Sequence, residues 1–149
     1  MKLHFTYNLT DLNQALSIAE QTAEFADILG VGSLLLYKEG INALKTFSKK
    51  FPNKDIFAEA NITEKAPEAI TMMAEAGAKY ISVLAGTLNS AIIKAVSAAQ
   101  TFDVKIALNL LDAAAVGQSA VDAKTLGVHL LILHLTPQAS SPDVDAEWR

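Results

Sequence analysis

Six short apolar stretches, rich in leucine, β-branched and aromatic residues, recur at residues 3–8, 28–36, 56–62, 80–85, 106–111 and 130–135. Their centres lie about 25 residues apart, the length of one strand plus one helix, so the pattern predicts six consecutive βα units. Between them the apolar positions change to helical spacing. Leu12, Ala15, Leu16 and Ala19 form one stripe, Ala69, Ile70, Met73, Ala74 and Gly77 a second, and Ile92, Ala95, Val96 and Ala99 a third. Each stripe gives a helix one apolar face with which to cover a sheet.

The punctuation agrees with this rhythm. Thr10 with Asp11, Thr87 and Asp112 offer side-chain oxygens where helices are expected to start. Gly77 and Gly127 stand where the chain must leave a helix through a left-handed turn. Strict alternation with short links predicts a parallel sheet, because a strand–helix–strand crossover returns in the same direction and with one hand. The expected fold is α/β, an incomplete (β/α)8 TIM-type barrel with about six parallel βα units; eight close a barrel. Residues 1–136 are assigned to the partial barrel, and residues 137–149 to a polar tail or the start of a further helix. A doubly wound nucleotide-binding sheet is the weaker architecture, since no Gly-x-Gly-x-x-Gly follows the first strand.

Composition narrows the picture. Of the 149 residues 51% are hydrophobic and only 19% charged, as expected for strands covered on both faces. A length of 149 residues suits a single domain. The net charge of −4, without a basic stripe, argues against nucleic acid as a partner. The absence of cysteine rules out thiolate catalysis, thiolate metal sites and disulfides. No apolar run approaches the ~18 residues of a membrane span, and residues 1–8 do not read as a secretion signal, so a cytoplasmic protein is expected.

The polar residues at the predicted strand ends carry the chemistry. Asn8, Glu59, Asn61, Asn109 and His134 all fall on the C-terminal rim, where barrels place their sites, with Glu64 just beyond in the loop after the third strand. His4 and His129, near strand entrances, read as structural. Glu64 also stands where the helix dipole favours an acid, and a lone histidine among leucines is often a hydrogen-bonded core residue.

Taken in order, these stretches resemble the hexulose-6-phosphate synthase and keto-gulonate-6-phosphate decarboxylase branch of the orotidine-monophosphate-decarboxylase-like superfamily. The resemblance is carried by Ile28-Leu29-Gly30-Val31-Gly32-Ser33 with Lys38-Glu39-Gly40, by Ala58-Glu59-Ala60-Asn61-Ile62-Thr63-Glu64, by Glu75-Ala76-Gly77-Ala78 and Ser82-Val83-Leu84, and by Leu126-Gly127-Val128 leading to Leu133-His134. Its most specific part is the third strand, where the family carries Asp-x-Lys-x-x-Asp. The resemblance implies that Glu59 stands at a magnesium ligand, Asn61 at the lysine that handles the proton and carbanion chemistry, and Glu64 at an acid that reaches into a partner subunit's site. It further implies a catalytic role for His134 and substrate contacts at Asn8 and Asn109, each an amide where the family has an acid.

Gly30 stands where the family has a metal-binding glutamate. Asparagine at position 61 cannot supply the charge of a lysine, so weak magnesium binding and impaired or lost catalysis are expected. Relatives continue through two further strands whose loops hold the substrate phosphate, and this sequence lacks them. A homodimer packed near the third and fourth helices is the expected assembly. Two functions remain open: a lyase acting on a keto-sugar phosphate, and a non-catalytic binding or oligomerising module.

Overall fold

The computed structural model describes residues 1–134. Strands β1 (His4–Tyr7), β2 (Ile28–Val31), β3 (Asp55–Ile62), β4 (Tyr80–Leu84), β5 (Lys105–Asn109) and β6 (Leu130–Ile132) form one parallel sheet in sequence order. Between them run the helices α1 (Leu12–Thr22), α2 (Ser33–Glu39), α3 (Ile41–Lys50), α4 (Ala66–Glu75), α5 (Asn89–Gln100) and α6 (Val116–Thr125). Unbroken order from first strand to last is the barrel topology: the sheet curls in one sense, with the helices outside. A doubly wound sheet would reverse its order at a switch point.

Alternation along the strands sorts side chains between two faces. Leu29, Val31, Ile56, Ala58, Ile81, Val83, Ile106 and Leu108 face the helices and are buried. Against them lie Ala15 and Ala19 of α1, Ala43, Leu44 and Phe47 of α3, Ile70 of α4, and Ile92, Ala95, Val96 and Ala99 of α5. Alanine at so many facing positions lets the helices approach the sheet closely. The concave face has its own smaller cluster of Phe57, Tyr80 and Ala107, flanked by Ile28 and Ile132.

Asp11 caps α1, its Oδ1 accepting from the Gln14 amide at 2.9 Å. The turns out of α4 and α6 pass through Gly77 (φ 96°) and Gly127 (φ 78°), a region closed to most side chains. Three local expectations need correction. The apolar stretch at 28–36 is a strand only as far as Val31; Ser33 to Glu39 are helical, because Gly32 ends the strand and the helix that follows buries Leu35 in the core, with Leu36 packed beside it and Leu34 left exposed. Thr87 caps no helix: α5 starts at Asn89, and the Thr87 hydroxyl donates to the Thr63 carbonyl at 2.5 Å. Asp112 likewise lies ahead of α6 and instead accepts from the Gly86 amide at 3.0 Å, tying together the loops after β4 and β5. The segment assigned to the tail, 137–149, and Leu135 lie outside the described residues.

Candidate functional site

β3 is the longest strand, and its upper end is irregular. Between Ala58 and Ile62 its register with β4 shifts, and Asn61 takes a left-handed backbone conformation, φ 47°. Asparagine is one of the few residues besides glycine that adopts this conformation readily. The Asn61 amide leaves the strand ladder and donates to Ser82 Oγ of β4 at 2.8 Å. Ser82 Oγ in turn donates to Asn61 Oδ1 at 3.0 Å, so one hydroxyl clasps both the backbone and the side chain of the bulge.

The chain of contacts continues across the sheet. Asn109 Nδ2 donates to Asn61 Oδ1 at 2.9 Å, and the Leu111 amide donates to Asn109 Oδ1 at 3.0 Å. Because Asn109 Oδ1 can only accept, the 3.0 Å contact from His134 Nε2 requires the proton to sit on that ring nitrogen. Ser82 and Asn109 are the buried polar side chains of the core, and no buried side-chain polar atom among the described residues lacks a partner. Such a network holds its shape firmly, since each buried group would be costly to leave unpaired.

Beside it lies Glu59, half-buried on the same strand. Thr6 Oγ1 of β1 donates to Glu59 Oε1 at 2.6 Å. Burial pushes the Glu59 carboxyl above its ordinary pKa; the Thr6 hydrogen bond and the nearby His134 pull the other way without cancelling it. Behind Thr6, its Oγ1 lies 3.3 Å from His4 Nε2, and the His4 ring stacks on Phe57 with centroids 4.8 Å apart. Packing around the imidazole lowers the His4 pKa, because the charged ring is deprived of water.

Glu59, Asn61, Asn109 and His134 therefore converge on the concave face. Asn8 and Glu64 are engaged elsewhere. Asn8 Oδ1 accepts from the Leu34 amide at 2.9 Å and so caps the first turn of α2. Glu64 is exposed and lines a separate 370 Å³ cleft between the starts of α4 and α5, with Lys65 and Lys94. His129, at the entrance to β6, accepts from the Ile106 amide through Nδ1 at 3.1 Å.

Thr6 and Ser82 were missed by reasoning from sequence. Strand alternation carried a signal for both: Thr6 is two residues before Asn8, and Ser82 is the one polar residue between the apolar partners of β4 apart from the Tyr80 hydroxyl. Among the described residues no three His, Asp or Glu side chains gather as a metal-binding group. Nor is any helix among them long and apolar enough to cross a membrane.

No family model matches the chain. It is 28% identical over 134 residues, 90% of its length, to the 3-hexulose-6-phosphate synthase of Mycobacterium gastri. The chain spans 64–65% of the length of the first curated relatives it matches. A crystal structure of 3-hexulose-6-phosphate synthase superposes with a TM-score of 0.90 at 26% identity, covering 99% of this chain and 72% of that one. The 3-keto-L-gulonate-6-phosphate decarboxylase of Vibrio cholerae shares the fold, with a TM-score of 0.85 at 23% identity over 97% of this chain and 71% of its own. Modest sequence identity over 90% of its length, together with this agreement in fold, makes the chain similar in sequence and fold to 3-hexulose-6-phosphate synthases and similar in fold to a 3-keto-L-gulonate-6-phosphate decarboxylase.

Proposed function

We propose that this is a hexulose-6-phosphate-synthase-like protein in which lyase chemistry on a keto-sugar phosphate is impaired or lost. The observation that carries this reading is the state of Asn61. Its side-chain oxygen already accepts from both Ser82 and Asn109, and it stands where the resemblance calls for a lysine. Stabilising an enediolate, or delivering a proton to a carbanion, calls for a cationic or readily protonated group at that point. Here a neutral amide is held between a hydroxyl and a second amide.

The donor set also suits a hard divalent cation poorly. Such ions want several anionic oxygens, whereas the six strands carry only two acids, Asp55 and Glu59. Asp55, at the opposite end of β3, pairs with Lys2 at 3.4 Å. Any magnesium binding through Glu59 is expected to be weak, and no step is assigned to the metal.

His134 is the group best placed to move a proton if turnover persists. Its Nε2–H is aimed at Asn109, and its charge is felt by Glu59. Glu64, exposed on its own loop, suits contact with a second subunit of a homodimer better than contact with this network. The second reading, a non-catalytic binding or oligomerising module on the same fold, is favoured by how completely the amides satisfy one another. A cytoplasmic location accords with either.

The test is direct. Purified protein supplied with magnesium should show no formaldehyde-dependent consumption of a keto-sugar phosphate and no carbon dioxide release from keto-gulonate phosphate above a Glu59→Gln/His134→Ala control. Turnover that is lost in that control would overturn the proposal.

A further inference from the structure

The strands bring one carboxylate to the upper concave face, and the protein has already engaged it. Glu59 Oε1 is 2.6 Å from the Thr6 hydroxyl, whose proton it receives. With its proton committed, Thr6 Oγ1 turns a lone pair towards His4 Nε2 at 3.3 Å. His4 is fixed from below by stacking on Phe57, which stacks on Tyr80 with ring planes 9° apart, and Lys105 Nζ lies 5.9 Å from the Tyr80 centroid. A column of side chains from β5, β4, β3 and β1 thus ends on the carboxylate.

The neighbouring strand is shaped to let that column in. Gly30 of β2 pairs with Thr6 on one side and Phe57 on the other. A Cβ at position 30 would collide with His4 Nε2 and would lie 2.7 Å from Thr6 Oγ1. Any side chain at that point, a second carboxylate included, therefore competes with His4 and Thr6 for the same space. The missing acid on β2 and the hydroxyl–imidazole pair on β1 are two aspects of one packing arrangement.

We infer that Thr6 and His4 are positioning residues that fix Glu59 through a hydroxyl–imidazole chain, in the space left by Gly30, and so organise this face of the site without a divalent cation. The inference rests on the reading of the concave face as the site, and it holds whether or not lyase turnover survives. It accounts for Gly30 on steric grounds, and it gives Thr6 and His4 a role that neither sequence position announces.

Manganese(II), followed by its paramagnetic resonance signal, is the probe. The unmodified protein and Glu59→Gln should bind it with closely similar, weak affinity, because Thr6 holds Oε1 and a single carboxylate is too small an anionic set to hold the ion. A loss of about tenfold or more in Glu59→Gln, the scale on which a genuine metal ligand's surroundings act, would overturn the inference. A smaller difference supports it. Neither arm depends on turnover, so a positive lyase assay would sink the proposed function and leave this result standing.

A second measurement separates positioning from simple packing. With ¹³C-labelled glutamate at pH 8, the Glu59 carboxylate resonance, assigned by its absence from Glu59→Gln, should move in Thr6→Val and in His4→Ala. It should be restored in Thr6→Ser, which keeps the hydroxyl. An unmoved resonance in either Thr6→Val or His4→Ala, or a Thr6→Ser resonance displaced like that of Thr6→Val, would refute the chain.

Discussion

The two faces of the sheet use the same strands in opposite ways. Towards the helices they present an almost unbroken apolar surface, with Leu29, Val31, Ile81 and Ile106 fully buried. Towards the concave side they present two layers: aromatic rings and His4 low in the curl, then amides, hydroxyls and Glu59 near the rim. The first surface is held by area removed from water, which is non-directional and tolerant of detail. The second is held by hydrogen bonds whose partners must be individually correct, so a single altered side chain can rearrange it. Stability is therefore concentrated on the convex side, and the polar groups of the candidate site are gathered on the concave one.

Three perturbations would break or sharpen that contrast. Phe47 of α3 is fully buried between Tyr7 and Phe51, with ring centroids 5.4 and 5.9 Å away. Phe47→Ala should cost about 3–5 kcal/mol in denaturant unfolding, the usual penalty for emptying an aromatic site. The Glu59 carboxylate resonance of the folded fraction should stay where it is. Movement of that signal would mean that the two faces are not separable.

Ser82→Ala should cost less, about 1–3 kcal/mol by the same measurement, because it leaves the Asn61 amide without its acceptor inside the sheet. Unlike Phe47→Ala it should release the bulge, seen as loss of exchange protection at the Asn61 amide. Retained protection there would show that the concave network does not depend on its hydroxyl clasp.

The smallest effect concerns pH. Burial raises the Glu59 pKa in the folded protein, so folding favours its protonated form. The sign follows from linkage: the raised carboxyl costs stability once pH climbs through the folded value, and the cost vanishes below the unfolded value near 4.5. Glu59→Gln should therefore unfold at a slightly higher temperature than the unmodified protein at pH 7, and the gain should fade as pH drops towards 4. A gain of the same size at both pH values would assign the effect to packing instead.

Much of the barrel was legible in the sequence because its signals are local. Helical stripes such as Ile92, Ala95, Val96 and Ala99 reappear as buried faces, and Gly77 and Gly127 adopt the left-handed conformations their positions called for. Where two local patterns competed, the reading failed: the leucines after Gly32 continued an apolar run yet belong to a helix. Thr87 and Asp112 have the chemistry of caps, but their partners, Thr63 and Gly86, lie 24 and 26 residues away.

The candidate site divides along the same line. Sequence by itself determined which residues reach the C-terminal rim, since a strand's period carries Asn8, Glu59, Asn61 and Asn109 there without reference to anything distant. Only the tertiary structure decided which of them meet. Glu59 pairs with Thr6 across 53 residues and Asn61 with Asn109 across 48, whereas Asn8 turns to cap α2 and Glu64 remains outside. Periodicity is a property of neighbours along the chain, but a hydrogen bond is a property of neighbours in space, and here it is strand register and curl that bring those neighbours together.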